Sequence, residues 1–172
     1  VAGLAQAIVA ERVPDYLKNA HVIELDMAAM AAGTNSPAEF QERFIPICRG
    51  LAERYHHPEF GRYIMFIDEI HTIMPTVTGS AYAGLSEVLK PYMTVGDLHI
   101  LGATTLDEFR MYVAIDPALD RRFQKVLLRM PTAKETLMIL KGIRPSYEKH
   151  HNLKISDECL EEVVKMTVKL MY

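Results

Sequence analysis

The chain has 172 residues, 49% of them hydrophobic and 24% charged, enough to bury a core without staples and unlike the composition of a disordered polypeptide. Lys plus Arg is 19 and Asp plus Glu is 22, a net charge of −3, which argues against a nucleic-acid binder and against an anionic-membrane binder. The two cysteines, Cys48 and Cys159, lack the spacing of a disulfide framework or a zinc site, and no apolar run is long enough to span a bilayer. A reducing compartment, the cytoplasm or an organelle matrix, is the expected location.

Residues 1–10 are apolar and helix-favouring, without the charged leader and cleavage pattern of a signal peptide. The absence of an initial Met suggests a start inside a longer protein. Short β-rich runs then alternate with longer helical patterns, the signature of a parallel α/β sheet. Strands are predicted over 21–26, 63–67, 98–103 and 125–130. The central two are apolar on successive residues, as when helices cover both faces of the sheet. Ser36-Pro37-Ala38-Glu39 predicts a helix start: a capping serine, a proline at the first helical position and a glutamate able to reach back. Thr105-Leu106-Asp107-Glu108 and Thr132-Ala133-Lys134-Glu135 repeat that capping box. After Thr132 the period becomes helical throughout. Leu137, Leu140, Ile143 and Tyr147 share one face, and Leu160, Val163, Val164, Thr167 and Met171 share another. The expected organisation is an α/β part over 1–131 and a small helical part over 132–172.

Three segments could carry chemistry. Ile64-Met65-Phe66-Ile67-Asp68-Glu69 ends a buried strand in two adjacent carboxylates, an expensive choice unless a cation or polar group meets them. In nucleotide hydrolases the first such carboxylate helps hold magnesium and the next activates the attacking water. The same pair can instead cap the following helix. Thr105, after Leu101-Gly102-Ala103-Thr104, could present its hydroxyl to a phosphate, though capping is its commoner use. Asp120-Arg121-Arg122-Phe123 offers planar, permanently charged groups suited to phosphate oxygens, or else a solvated charge pair. His56-His57 and His150-His151 are adjacent pairs with no ligand spacing, and metal ligation by them is rejected.

Taken together, several segments in register resemble the first AAA+ ATPase module of the Clp family of ring-forming unfoldases and disaggregases. They are Gly3-Leu4-Ala5-Gln6 with Val13-Pro14, Phe66 to Thr72, Leu89-Lys90-Pro91, Gly102 to Arg110, Arg121 to Gln124, and Tyr147 to His151 with Ile155-Ser156-Asp157. The resemblance implies an AAA+ P-loop-type parallel sheet sandwiched by helices, followed by a small helical subdomain. It implies ATP and magnesium as ligands, with Asp68 the Walker B carboxylate that holds Mg²⁺ through water and Glu69 the catalytic glutamate. Thr105 becomes the sensor of the γ-phosphate, also contacting the nucleotide, and Arg121 and Arg122 become fingers that reach a neighbouring subunit's site.

A finger acting in trans needs a ring, so the implied partners are copies of the chain in a hexamer, unfolded or aggregated polypeptides, and a protease or chaperone. The family's G-x-x-x-x-G-K-T belongs immediately before Val1. This sequence does not contain it, nor the strand before it, which the family places between the strands ending near Thr105 and Met130. The 172 residues alone are therefore expected not to hydrolyse ATP. The family's pore loop falls on Asn35, Ser36 and Pro37, with Ser36 where an aromatic grips substrate, and a second pore loop falls on residues 74–83. A non-hydrolysing AAA-like scaffold is the alternative, and the lost aromatic favours it.

Overall fold

The computed structural model describes residues 1–34, 36–57, 59, 61–77, 80 and 82–171. The chain divides into two compact units, Val1–Gln124 and Lys125–Tyr172.

In the first unit, helix α1 (Ala2–Val9) precedes strand β1 (His21–Glu24), and α2 (Met27–Ala31) and the long α3 (Pro37–Tyr55) lead to β2 (Tyr63–Ile67). A 3₁₀ turn (Ile70–Ile73), α4 (Leu85–Val95) and β3 (His99–Gly102) follow, then the short α5 (Leu106–Glu108), a π-helical turn (Phe109–Val113) and α6 (Pro117–Asp120). The three strands form one parallel sheet in the order β1-β2-β3, with Met65 opposite Ile23 and Ile100. Parallel strands need helical crossovers, which cover both faces. On one face Met65 and Ile67 join Phe40, Phe44, Cys48, Leu85, Leu89 and Leu119 in the main core. On the other face Ile64 packs with Ile8 and Ala20. Burial pushes the Cys48 thiol up to about 12, so Cys48 packs as a small apolar side chain.

Local chemistry sets the boundaries. Asp26, expected to extend β1, instead caps α2, accepting from Ala29 N at 2.8 Å. Ser36 caps α3 by accepting from Glu39 N at 3.3 Å, with Pro37 in the first turn. Asn35, and Thr78, Gly79 and Ala81 within the expected second pore loop, lie outside the described residues. Gly61 sits at φ +76°, where a Cβ would run into the Asn19 carbonyl oxygen, so the turn into β2 requires glycine.

The second unit is a helical hairpin of α7 (Ala133–His151) and α8 (Asp157–Met171). Thr132 opens α7 with the full reciprocal capping box to Glu135. The predicted strand over 125–130 is corrected here. The segment forms no strand, and Val126, Leu127, Leu128 and Met130 are 79, 77, 88 and 71% exposed. β-propensity describes how residues fit a pleated, half-buried surface, and this segment has neither a hydrogen-bonded neighbour strand nor a buried face. The two predicted helical faces are also only partly buried: Leu160 and Val164 are inside, whereas Ile143, Tyr147 and Val163 are exposed. Met171's side chain lies outside the described set.

Candidate functional site

The site forms where β2 and β3 end side by side, the edge at which ligands gather in open parallel sheets. β2 delivers Asp68 and Glu69. Glu69 takes a left-handed backbone, φ 48° and ψ 49°, uncommon for a residue with a side chain and typical of strained functional positions. Its surroundings hold it there. Asp68 Oδ1 accepts from Glu69 N at 3.0 Å, Ile70 N donates to Ala103 O at 2.9 Å, and Ala103 N donates to Ile67 O at 3.1 Å. Gly102 makes the approach possible, because a Cβ there would lie 2.5 Å from Ile70 Cδ1. The Asp68 and Glu69 side chains make no cap on the 3₁₀ turn. Both residues are exposed, and Asp68 lines a pocket of about 460 Å³ with Glu24, Leu25, Asp26 and Met27.

β3 delivers the threonines. Thr105 opens α5 with a complete capping box: its Oγ1 accepts from Glu108 N at 3.2 Å and donates to Glu108 Oε2 at 2.7 Å. That oxygen also accepts from Thr105 N and from Thr104 Oγ1, each at 3.1 Å. These bonds, those from Thr105 first, hold the Glu108 carboxyl below its ordinary range.

His71, two residues beyond Glu69, joins the two strand ends. Its Nδ1 lies 3.0 Å from Thr104 Oγ1, 3.3 Å from Glu69 Oε2 and 3.4 Å from Glu108 Oε2. The ring is largely buried and stacks on Tyr112 from the π-helical turn, with centroids 5.8 Å apart and planes 25° apart. Glu69, His71 and Glu108 form a group whose ligand atoms all lie within 4.8 Å of one another. Glu108 Oε2 already accepts three hydrogen bonds, so the group is built as a hydrogen-bond hub.

Of the expected residues, Glu69 and Thr105 are linked through His71 and Glu108, whereas Asp68, beside Glu69, lines the pocket with Glu24 and Asp26. Arg121 and Arg122 make a separate set of bonds at the end of α6. Arg121 Nε donates to Pro117 O at 2.9 Å, and Arg122 donates to Ala118 O at 2.6 Å and to Thr94 Oγ1 at 2.9 Å. Both arginines are exposed. Ser36 and Pro37 start α3. His71 and Thr104 had no assigned role in the sequence reading, and Glu108 only that of a helix cap. The signal for Glu108 was its capping box, and for His71 its place just past the carboxylate pair.

The AAA lid domain family matches residues 132–171. The chain is 44% identical over 93% of its length to the chaperone protein ClpB of Vibrio cholerae, covering 18% of that protein. It is 44% identical over 96% of its length to ClpC of Staphylococcus epidermidis, described as an ATP-dependent Clp protease ATP-binding subunit, covering 20% of it. The chain thus spans about a fifth of the length of these curated relatives. Among solved structures, Hsp104 in a closed state with ATPγS and FITC-casein matches with a TM-score of 0.83 and 34% identity, over 98% of this chain and 28% of that one. The Hsp104–ADP complex of S. cerevisiae matches with a TM-score of 0.78 and 34% identity, over 96% and 27%.

Proposed function

Because this chain belongs to the Clp family of AAA+ proteins, we propose that it is one module of an ATP-driven, ring-forming unfoldase or disaggregase that couples ATP hydrolysis to the remodelling of polypeptides. The observation that carries this is the convergence of Glu69, next to Asp68 at the end of the central strand, with the Thr104–Thr105–Glu108 cluster at the end of its neighbour through His71.

Asp68 and the oxygens of Glu24 and Asp26 around its pocket are the hard donors that suit magnesium held through its water shell. Bound there, the ion would neutralise phosphate charge. Glu69, exposed and fixed by its strained backbone, orients and polarises the attacking water. Thr105 reads the terminal phosphate by exchanging its bond to Glu108 for one to a phosphate oxygen. Arg121 and Arg122, exposed at the end of α6, serve a neighbouring subunit's nucleotide in a hexamer. The substrates are unfolded or aggregated polypeptides, casein being the one in the Hsp104 structure, and the start of α3 at Ser36 and Pro37 meets them in the pore. The description of ClpC supports a protease as a further partner. The residues 1–131 act as the nucleotide part and 132–172 as its lid, in a protein of the cytoplasm.

The test is Glu69→Gln in the full-length protein. Loss of an acid–base carboxylate lowers ATP turnover by about 10²- to 10⁴-fold, while ATP-dependent ring assembly persists and unfolding of FITC-casein stops. Unchanged turnover would overturn the ATPase assignment and return the module to a non-hydrolysing scaffold.

A further inference from the structure

We propose that His71 is a positioning residue that couples the sensor Thr105 and its neighbour Thr104 to Glu69, so that the catalytic carboxylate is held until the sensor is engaged. This rests on the ATPase reading above. Nδ1 is the ring nitrogen turned to the site, with three acceptors within reach: Thr104 Oγ1 at 3.0 Å, Glu69 Oε2 at 3.3 Å and Glu108 Oε2 at 3.4 Å. A neutral imidazole carries one N–H there and can satisfy one acceptor well. Thr104 in turn donates to Glu108, whose Oε2 is also held by Thr105 N and Oγ1.

The competition makes a switch. With both threonine hydroxyls on Glu108, that carboxylate is satisfied, and the His71 donor is shared between Thr104 and Glu69. When a ligand draws the hydroxyls away, Glu108 loses two of its three donors. A carboxylate left short of donors is costly, so the His71 N–H turns to Glu108 and Glu69 is released to polarise water. Stacking on Tyr112 and near-burial of the ring restrict His71 to small rotations between these acceptors.

The test uses the full-length protein. His71→Asn keeps a donor close to the Nδ1 position, His71→Gln moves it toward Nε2, and His71→Phe removes it. The expected result is kcat raised about 2- to 10-fold in Phe and Gln, the worth of one hydrogen bond that no longer restrains Glu69, with KM for ATP unchanged and Asn returning the rate toward that of the wild type. Equal kcat in all four proteins, a kcat lowered in Phe and Gln, or an equal gain in Asn and Gln, would overturn the proposal. Histidine-selective ¹⁵N spectra of the wild type judge the contact without turnover. The Nδ1-protonated tautomer is expected, with its resonance moved by Glu69→Gln and by Thr104→Val; an Nε2-protonated ring, or a resonance indifferent to both changes, refutes the proposal. If Glu69→Gln keeps full turnover, the ATPase reading has failed, and the spectra still decide whether His71 links Glu69 to Thr104.

Discussion

The two units of this chain are held together by different physics. The α/β unit buries Phe40, Phe44, Met65, Ile67, Ile73, Met74, Leu85, Leu89 and Leu119 at 0–1% exposure. Among its described residues the helical hairpin buries only Leu160 and Val164, and it depends on charge: Asp157 pairs with Lys141 at 2.6 Å and with Arg144, and Arg129 pairs with Glu135 at 2.6 Å. A close-packed interior is stiff, and the α/β unit uses that stiffness to keep Glu69 in a left-handed backbone beside the threonines. A hairpin that leans on solvent-accessible ion pairs is stabilised weakly and responds to solvent.

The largest expected difference is between Phe44→Ala and Leu160→Ala. Phe44 is fully buried, and its truncation should cost about 3–5 kcal/mol, whereas Leu160→Ala falls toward the low end of about 2–5 kcal/mol because its site is open enough to relax. Peptide-resolved hydrogen exchange separates the two. Phe44→Ala should deprotect α3, β2 and α4, and Leu160→Ala should deprotect α7 and α8. Equal losses across both units for either substitution would break the contrast.

A smaller effect tests whether packing sets the site. In Gly102→Ala the added methyl meets Ile70 at 2.5–3.1 Å, so Ile70 and the turn that carries Glu69 must shift, at an overpacking cost of about 1–3 kcal/mol. ATP turnover of the full-length protein should fall by more than the stability loss explains, since the displaced atoms adjoin Glu69 and His71. Full turnover at reduced stability would mean that the turn tolerates movement.

How much of this was legible in the sequence follows the same division. β2 was read to the residue, because its apolar run is buried on both faces and ends in charge. The capping boxes at Thr105 and Thr132 were read in full, because they are local chemistry. The reading failed at 125–130, where Val126, Leu127 and Leu128 have strand propensity but no ladder to join. The site was half legible. Asp68, Glu69 and Thr105 stand out by residue type, but the link of Glu69 to Thr105 through His71 and Glu108 depends on β2 pairing with β3 in one register, a tertiary fact that no local pattern carries.

The smallest effect concerns acid. Arg129, with Thr132, holds the Glu135 carboxyl at about 2 instead of 4.5, and Lys141 with Arg144 holds that of Asp157 below its ordinary range. A carboxyl whose folded value is depressed stabilises the fold fully above its unfolded value, and that contribution is lost as the pH falls toward the folded value. For Glu135 the window runs from 4.5 down to about 2. Helicity and hydrogen-exchange protection of residues 133–171 should therefore decline through that window while β2 and α3 stay protected. The Arg129–Glu135 pair is exposed, so high salt should reproduce part of the effect at neutral pH, and Glu135→Gln should flatten the acid response at the start of α7. If α7 and α8 outlast the sheet in acid, Leu160 and Val164 carry the hairpin and the ion pairs serve only to orient it.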